Sequence, residues 1–301
     1  MVDRPPGERP PLVERDVPLA RFTTIGTGGP ARFLARPTSD DELASCLVWA
    51  AEHELQVRVI GLGSNLLPSD AGYDGLVLRL EGDLASIVVA SPLIRCGGGA
   101  SLAAVVHRAT SAGLAGIAFG CAIPGTVGGA VRMNAGAYGS ELADVLATAT
   151  VVSAAGAREG GPDVLELRYR HSNVGHGEVV SRAVLRLSLG DPAAIRIAVR
   201  ALQEQRTGAQ PRKARTFGSV FKNPGGERTS GQILELCGLK GVTIGGARIS
   251  PKHANFIENV GGATSADVIA LMAEARRRAR ETFGVELEHE VELLGEIALD
   301  G

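Results

Sequence analysis

The 301-residue chain contains no Gly-Lys dipeptide, no H-E-x-x-H and no G-x-S-x-G. Those absences exclude a Walker-A phosphate loop, a zinc-protease helix and the nucleophile elbow of an α/β-hydrolase. Its four cysteines, Cys46, Cys96, Cys121 and Cys237, include no C-x-x-C spacing. Neither a disulfide framework nor a metal site is expected, and a reducing cytoplasm fits best. A formal net charge of −2, with no long block of like charge, leaves no electrostatic footprint for nucleic acid. The partner is expected to be a small molecule and the protein a monomer. Residues 1–18, rich in proline and charge, lack the apolar h-region of a secretory signal and are expected to fray. Residues 109–131 carry no charge and are long enough to span a bilayer, but their six glycines and Pro124 argue against a membrane helix.

What is present is a chain with 45% hydrophobic and 21% charged residues, enough for a real core and two or three domains. Ser39 to Glu42 reads as a capping box that opens a helix over 42–53. Apolar runs predict strands at 57–60, 76–80, 87–90, 94–96, 146–152 and 183–189, with helices at 101–112 and 192–206. A mixed α/β region therefore ends near residue 200. Beyond it follow a loop over 208–215, a short strand over 219–221 and a helix over 230–237. A long helix over 264–283 is capped by Thr264 or Ser265 and stopped by Gly284. Its arginine cluster, Arg276, Arg277, Arg278 and Arg280, reads as a solvated face near the negative helix end.

Three glycine-rich stretches stand out. Gly61-Leu62-Gly63-Ser64-Asn65-Leu66-Leu67 follows a predicted strand, so it offers backbone N–H groups and short polar side chains to a ligand phosphate. It is not a Rossmann fingerprint, because Leu66 sits where that pattern needs a small residue. Cys121-Ala122-Ile123-Pro124-Gly125-Thr126-Val127-Gly128-Gly129-Ala130 runs on to Met133-Asn134-Ala135-Gly136-Ala137-Tyr138-Gly139. Together they make two nests of donors, which suits a diphosphate. Gly26 to Ala31 spells G-x-G-x-x-A, but Pro30 falls where a Rossmann helix should be under way.

Chemistry-bearing side chains cluster in four places. In Thr216-Phe217-Gly218-Ser219-Val220-Phe221-Lys222-Asn223-Pro224, a serine after a glycine at a strand edge is followed by a cation and an amide. Tyr169-Arg170-His171-Ser172 offers a guanidinium fork suited to a carboxylate, with Arg168 as a competitor for that role. Residues 285–293 alternate with period two, which puts Glu286, Glu288, Glu290 and Glu292 on one face, and period alone cannot choose among them. His253, in Ser250-Pro251-Lys252-His253-Ala254-Asn255-Phe256, is expected to make a structural hydrogen bond rather than to move protons.

These motifs and their order, over about residues 20–296, resemble the UDP-N-acetylenolpyruvoylglucosamine reductases in their shorter subclass. The resemblance implies a two-lobed FAD-binding domain of the vanillyl-alcohol-oxidase-like type at 20–200, with lobes at about 20–81 and 82–200. It implies an α/β substrate-binding domain at 201–288 and a C-terminal strand, 289–301, returning to the FAD region. FAD would be held non-covalently by Gly61, Gly63, Ser64, Asn65, Leu66, Ile123, Pro124, Gly125, Thr126, Gly128, Gly129, Asn134 and Gly136. NADPH would be the hydride-donating co-substrate and UDP-N-acetylglucosamine enolpyruvate the acceptor, contacted by Tyr169, Lys222 and Asn223. Ser219 would protonate the product carbon, and Arg170 and Glu290 would stabilise the developing charge, the choice of Glu290 coming from the family's L-E-x-E-V register. Three departures are Ala118 and Ala122, in place of the family's glutamate and glycine, and Arg215-Thr216-Phe217, where a proline is expected. A flavin oxidase of the same fold, or a flavin-carrying electron-transfer subunit, would explain the glycine nests but not the serine and glutamate motifs.

Overall fold

The computed structural model describes residues 8–211 and 214–299. The chain packs as two compact units, one from residues 8–16, 33–62 and 74–206, the other from 17–32, 63–73 and 207–299. Neither is contiguous in sequence.

The first unit is built on two larger sheets, each with its own core, and among the described residues carries two further two-stranded pairs. Its first sheet has the order Val13–Pro18, Pro30–Ala35, Tyr73–Leu78, Val57–Val59. The helix Asp40–Glu52 covers it with Leu43, Cys46, Leu47, Trp49 and Ala50, which pack with Phe33, Leu76 and Leu78. Ser39 caps this helix by accepting from the Glu42 N–H, as its sequence leads one to expect. The Glu42 carboxylate reaches past Ser39 to the N–H and hydroxyl of Thr38, and those bonds hold its pKa below the ordinary value.

The second sheet is antiparallel, in the order Gly156–Gly160, Leu146–Ser153, Val179–Arg186, Leu93–Gly97, Ile87–Ala90. Helices Leu102–Ser111 and Val127–Arg132 bury Val105, Val106, Val127 and Val131 in the same core as Ile94, Ala183 and Leu185. Two cores give this unit two lobes.

The second unit packs helices Ser230–Leu236 and Ser265–Phe283 with a small antiparallel sheet, Thr243–Ile244, Ala247–Ile249, Ile257–Asn259. Thr264 is the N-cap of the long helix, in a capping box with Asp267. Its next two N–H groups, from Ser265 and Ala266, donate to the Asp70 carboxylate at 2.8 and 2.9 Å. Strand Leu66–Pro68 pairs in parallel with Glu292–Leu294, Glu292 opposite Leu66.

Several expectations change here. Residues 13–18 form a strand rather than a frayed end, because Val13 is buried in the first core; residues 1–7 of that stretch lie outside the described residues. Helix Pro192–Ala209 continues past residue 206, and two residues of the loop expected over 208–215, 212 and 213, lie outside the described residues. No strand forms over 219–221. Ser219 and Phe221 make isolated bridges to Phe256 and His289 instead, so this segment has a different neighbour on each side. The alternating run 285–293 shortens to Glu292–Leu294 plus the bridge at His289, because the chain changes partner between Glu290 and Glu292.

Candidate active site

In the second unit three segments meet through their backbones. Thr24 N–H donates to Gly63 O at 3.0 Å, and its hydroxyl to Thr216 O at 2.7 Å, so residue 24 ties the Gly-Ser-Asn turn to the approach of the serine motif. Asn65 Nδ2 donates to Glu290 O at 3.0 Å, and Glu292 N–H donates to Asn65 O at 3.1 Å. Glu290 N–H donates to Val220 O at 2.8 Å, one residue after Ser219. The Ser219 and Glu290 segments are thereby locked in register, and the turn 63–66 is locked to both.

Gly218 has φ of +87°, a left-handed conformation, while a Cβ built on it would meet only Ser64 O, at 3.7 Å. Conformation rather than lack of room calls for glycine there. The kink leaves Ser219 half-buried between the buried Phe217 and Val220.

The four glutamates, equivalent by period, are not equivalent in space. Glu286 is exposed and pairs with Arg280 at 2.9 Å, and Glu288 is exposed and pairs with Lys222. Glu290 and Glu292 are half-buried. Lys222 therefore holds a carboxylate that an anionic ligand would have to displace. Asn223 Oδ1 accepts from Ser230 N–H at 3.1 Å, at the start of the helix Ser230–Leu236. His253 Nδ1 accepts from Asn255 N–H at 3.2 Å, and burial and the Lys240 charge hold its pKa below 6.5. That is the structural hydrogen bond expected of it.

In the first unit Gly61, which opens the first glycine-rich stretch, meets Thr126 of the second. A Cβ at Gly61 would lie 2.6 Å from Thr126 Oγ1 and 2.9 Å from its Cγ2, so close approach demands glycine. Thr126 caps the helix Val127–Arg132 through Gly129 N–H, and Leu102 N–H donates to Gly125 O at 3.0 Å, which fixes the turn against the neighbouring helix. Ile123 and Pro124 lead into this turn, while Gly128 N–H donates to Gly98 O at 2.7 Å. A glycine turn closed on the Thr126 side chain that caps the next helix fits the diphosphate of a dinucleotide cofactor.

Arg170 and Tyr169 lie in this same unit. Arg170 Nη2 donates to Gly136 O at 3.1 Å, and its guanidinium sits 4.9 Å from the Tyr169 ring centroid. Arg168, the competitor, is exposed and pairs with Glu166 at 3.0 Å. Asn134 is fully buried, donates to Arg168 O at 3.2 Å and accepts from Ala143 N–H at 3.0 Å, so it fastens the 168–171 turn to the glycine-rich stretch. Asn134, Tyr138 and Arg170 all have positive φ, at 38°, 55° and 54°. Such non-glycine strain costs about 1–3 kcal/mol per residue and collects at functional sites.

Sequence reasoning did not assign the roles of Thr24 in joining two motifs, or of Asn65 in holding Glu290. Neither has a local signal, because each acts across a long sequence separation.

A chain with a two-lobed α/β unit that carries paired glycine turns, and a second unit that brings a serine and a glutamate into register, has the parts of an FAD-dependent oxidoreductase. Residues 31–159 match the model of the FAD binding domain, and residues 210–294 match that of the UDP-N-acetylenolpyruvoylglucosamine reductase, C-terminal domain. The chain is 43% identical to UDP-N-acetylenolpyruvoylglucosamine reductase 2 of Symbiobacterium thermophilum over 95% of its length and 93% of the relative's. It is 42% identical to the reductase of Rubrobacter xylanophilus over 95% of this chain and 96% of the other. The crystal structure of the Thermus caldophilus reductase superposes with a TM-score of 0.82 at 36% identity, covering 94% of this chain and 98% of that one. The chain belongs to the UDP-N-acetylenolpyruvoylglucosamine reductase family, and its length fits the shorter subclass.

Proposed function

We infer that this protein reduces UDP-N-acetylglucosamine enolpyruvate to UDP-N-acetylmuramate at the expense of NADPH, for peptidoglycan synthesis. The observation that carries the reading is the backbone register between the Ser219 and Glu290 segments, in a chain that also carries the FAD-binding domain. We assign the FAD domain to residues 20–200, the substrate domain to 201–288 and the returning strand to 289–301, and propose that the protein works as a cytoplasmic monomer. The four cysteines are thiols rather than disulfides, which supports a reducing compartment. Among the described residues no helix is long and apolar enough to cross a membrane.

Gly61, Gly63, Ser64, Asn65 and Leu66 and the turn from Ile123 to Gly129, with Asn134 and Gly136, would hold FAD non-covalently, and the flavin would supply hydride taken from NADPH. The remaining work falls to side chains of the protein. Arg170, its guanidinium oriented by Gly136 O and the Tyr169 ring, faces the substrate carboxylate with a permanent charge. Addition of hydride to the β-carbon of the enolpyruvyl ether leaves negative charge at the α-carbon, delocalised into the carboxylate. Arg170 stabilises it electrostatically, and we assign Glu290 to the same developing charge. Ser219 holds a proton on Oγ and delivers it to the α-carbon. Serine is a weak acid, and it suffices because the carbon base is strong. Lys222 and Asn223 bind the substrate beside Ser219, with Tyr169 beside Arg170.

Steady-state oxidation of NADPH tests this reading. It should require UDP-N-acetylglucosamine enolpyruvate, and oxidation at the same rate without that substrate would remove the assignment.

A further inference from the structure

The second unit contains a cavity of about 680 Å³ that none of the proposed catalytic or cofactor residues lines. Its charged walls are Arg215, Arg248, Lys252 and Glu258, three cations against one carboxylate. Glu258 is buried and occupied: Arg248 Nη2 donates to its Oε2 at 2.7 Å across the pair of strands that carries both residues. Among the described residues Arg248 Nε, buried, has no hydrogen-bond partner, an uncommon state for a guanidinium N–H. Among the described residues Lys252 Nζ has one hydrogen bond, to Thr207 O at 2.7 Å, and an ammonium has three donors.

Arg215 is where this chain departs from the family motif, which has a proline nearby. Its backbone is fixed by the bridge to Asn259, whose N–H donates to Arg215 O at 2.8 Å. Among the described residues no carboxylate pairs with its guanidinium. A proline at that place would bring no charge, so the residue adds a cation to a cavity that already has an excess of positive charge.

We propose that this cavity binds a phosphate-bearing ligand of about nucleotide size, with Arg215, Arg248 and Lys252 as the anion-binding groups. Two planar guanidinium forks and a point-charge ammonium match the oxygens of a diphosphate, and the volume falls within the range of small-molecule sites. A bound phosphoryl oxygen would also satisfy Arg248 Nε. The proposal concerns binding alone, so it stands or falls separately from the reductase reading.

Inorganic pyrophosphate is the probe, titrated calorimetrically into the FAD-loaded, full-length protein at two salt concentrations. Saturable binding is expected, weakened at least tenfold in Arg215→Ala and less in Arg215→Lys. Circular dichroism and flavin content report whether each variant is folded. Lys252→Gln, which leaves the Arg248 and Glu258 pair in place, should weaken binding independently. Competition then distinguishes the sources: displacement by UDP-N-acetylglucosamine assigns the site to a sugar nucleotide, displacement by NADP⁺ to a dinucleotide, and displacement by neither to a separate anionic ligand. No pyrophosphate binding, or equal binding by wild type and both Arg215→Ala and Lys252→Gln, overturns the proposal.

Discussion

The amide of Asn65 donates to the main-chain carbonyl of Glu290, while the Asn65 carbonyl accepts from Glu292 N–H, so one residue of the Gly-Ser-Asn turn holds the backbone that leaves the C-terminal glutamate through two bonds. This clamp sets where Glu290 stands. Asn65→Asp keeps the size but replaces the donor with a charge that repels the Glu290 carbonyl. A buried or half-buried acceptor left without its donor costs about 1–3 kcal/mol. The expected result is a lower midpoint in urea unfolding, with slower flavin reoxidation by substrate even when FAD is supplied in excess.

Ser219→Ala separates the half-reactions. Stopped-flow reduction of the flavin by NADPH should proceed near the wild-type rate, since no proton to carbon is required there. Reoxidation by the enolpyruvyl substrate should fall beyond the roughly 10²–10⁴ typical of a lost general acid. Unchanged reoxidation would remove Ser219 from the chemistry.

The glutamates can be compared one by one as glutamine variants. Glu286 and Glu288 are exposed and pair with Arg280 and Lys222, so Glu286→Gln should be silent and Glu288→Gln should alter mainly KM, through Lys222. Glu290→Gln keeps the size and hydrogen-bonding reach of the side chain while removing its titratable group, and is expected to slow reoxidation about 10²-fold. Loss in Glu292→Gln with activity kept in Glu290→Gln would shift the register by two residues.

Gly61→Ala tests the contact between the two nests. The added methyl would lie 2.6 Å from Thr126 Oγ1, and overpacking of this kind costs about 1–3 kcal/mol. Flavin content after gel filtration should drop, and Thr126→Ala in the same chain should recover part of it despite losing the helix cap.

His253 contributes to the pH dependence of stability. Its folded pKa lies below 6.5, so the unfolded chain binds more protons as the pH falls below that value. The stabilisation is therefore complete above pH 6.5 and is lost progressively as the pH drops toward the folded pKa. Urea midpoints measured across this window should fall in the wild type and flatten in His253→Gln.

The helices were legible because their signals are local. Ser39 and Thr264 cap the helices they announce, and the apolar stripe of Val268, Leu271, Met272, Ala275 and Ala279 is buried as its spacing requires. The strand Ile87–Ala90 falls on its apolar run for the same reason. The segments 219–221 and 285–293 were misread because their hydrogen bonds go to partners far away in sequence. Glu290 N–H goes to Val220 and Glu292 N–H to Asn65, and no periodicity within nine residues encodes that change. The inequality of the four glutamates is invisible for the same reason: it is created by Arg280, Lys222 and Asn65.

The parallel pairing of Leu66–Pro68 with Glu292–Leu294 also sets a timetable for synthesis. Residues 17–32 and 63–73 leave the ribosome early, yet they belong to a unit completed only by the last tenth of the chain. Until then their apolar groups, Ile25 and Leu67 among them, have no finished core to enter. Non-local closure of this kind is slow and exposes the nascent chain to aggregation. Translation stalled near residue 250, where residues up to 206 have cleared the ribosome, should therefore yield a nascent chain in which 33–62 and 74–206 resist protease while 17–32 and 63–73 are cut.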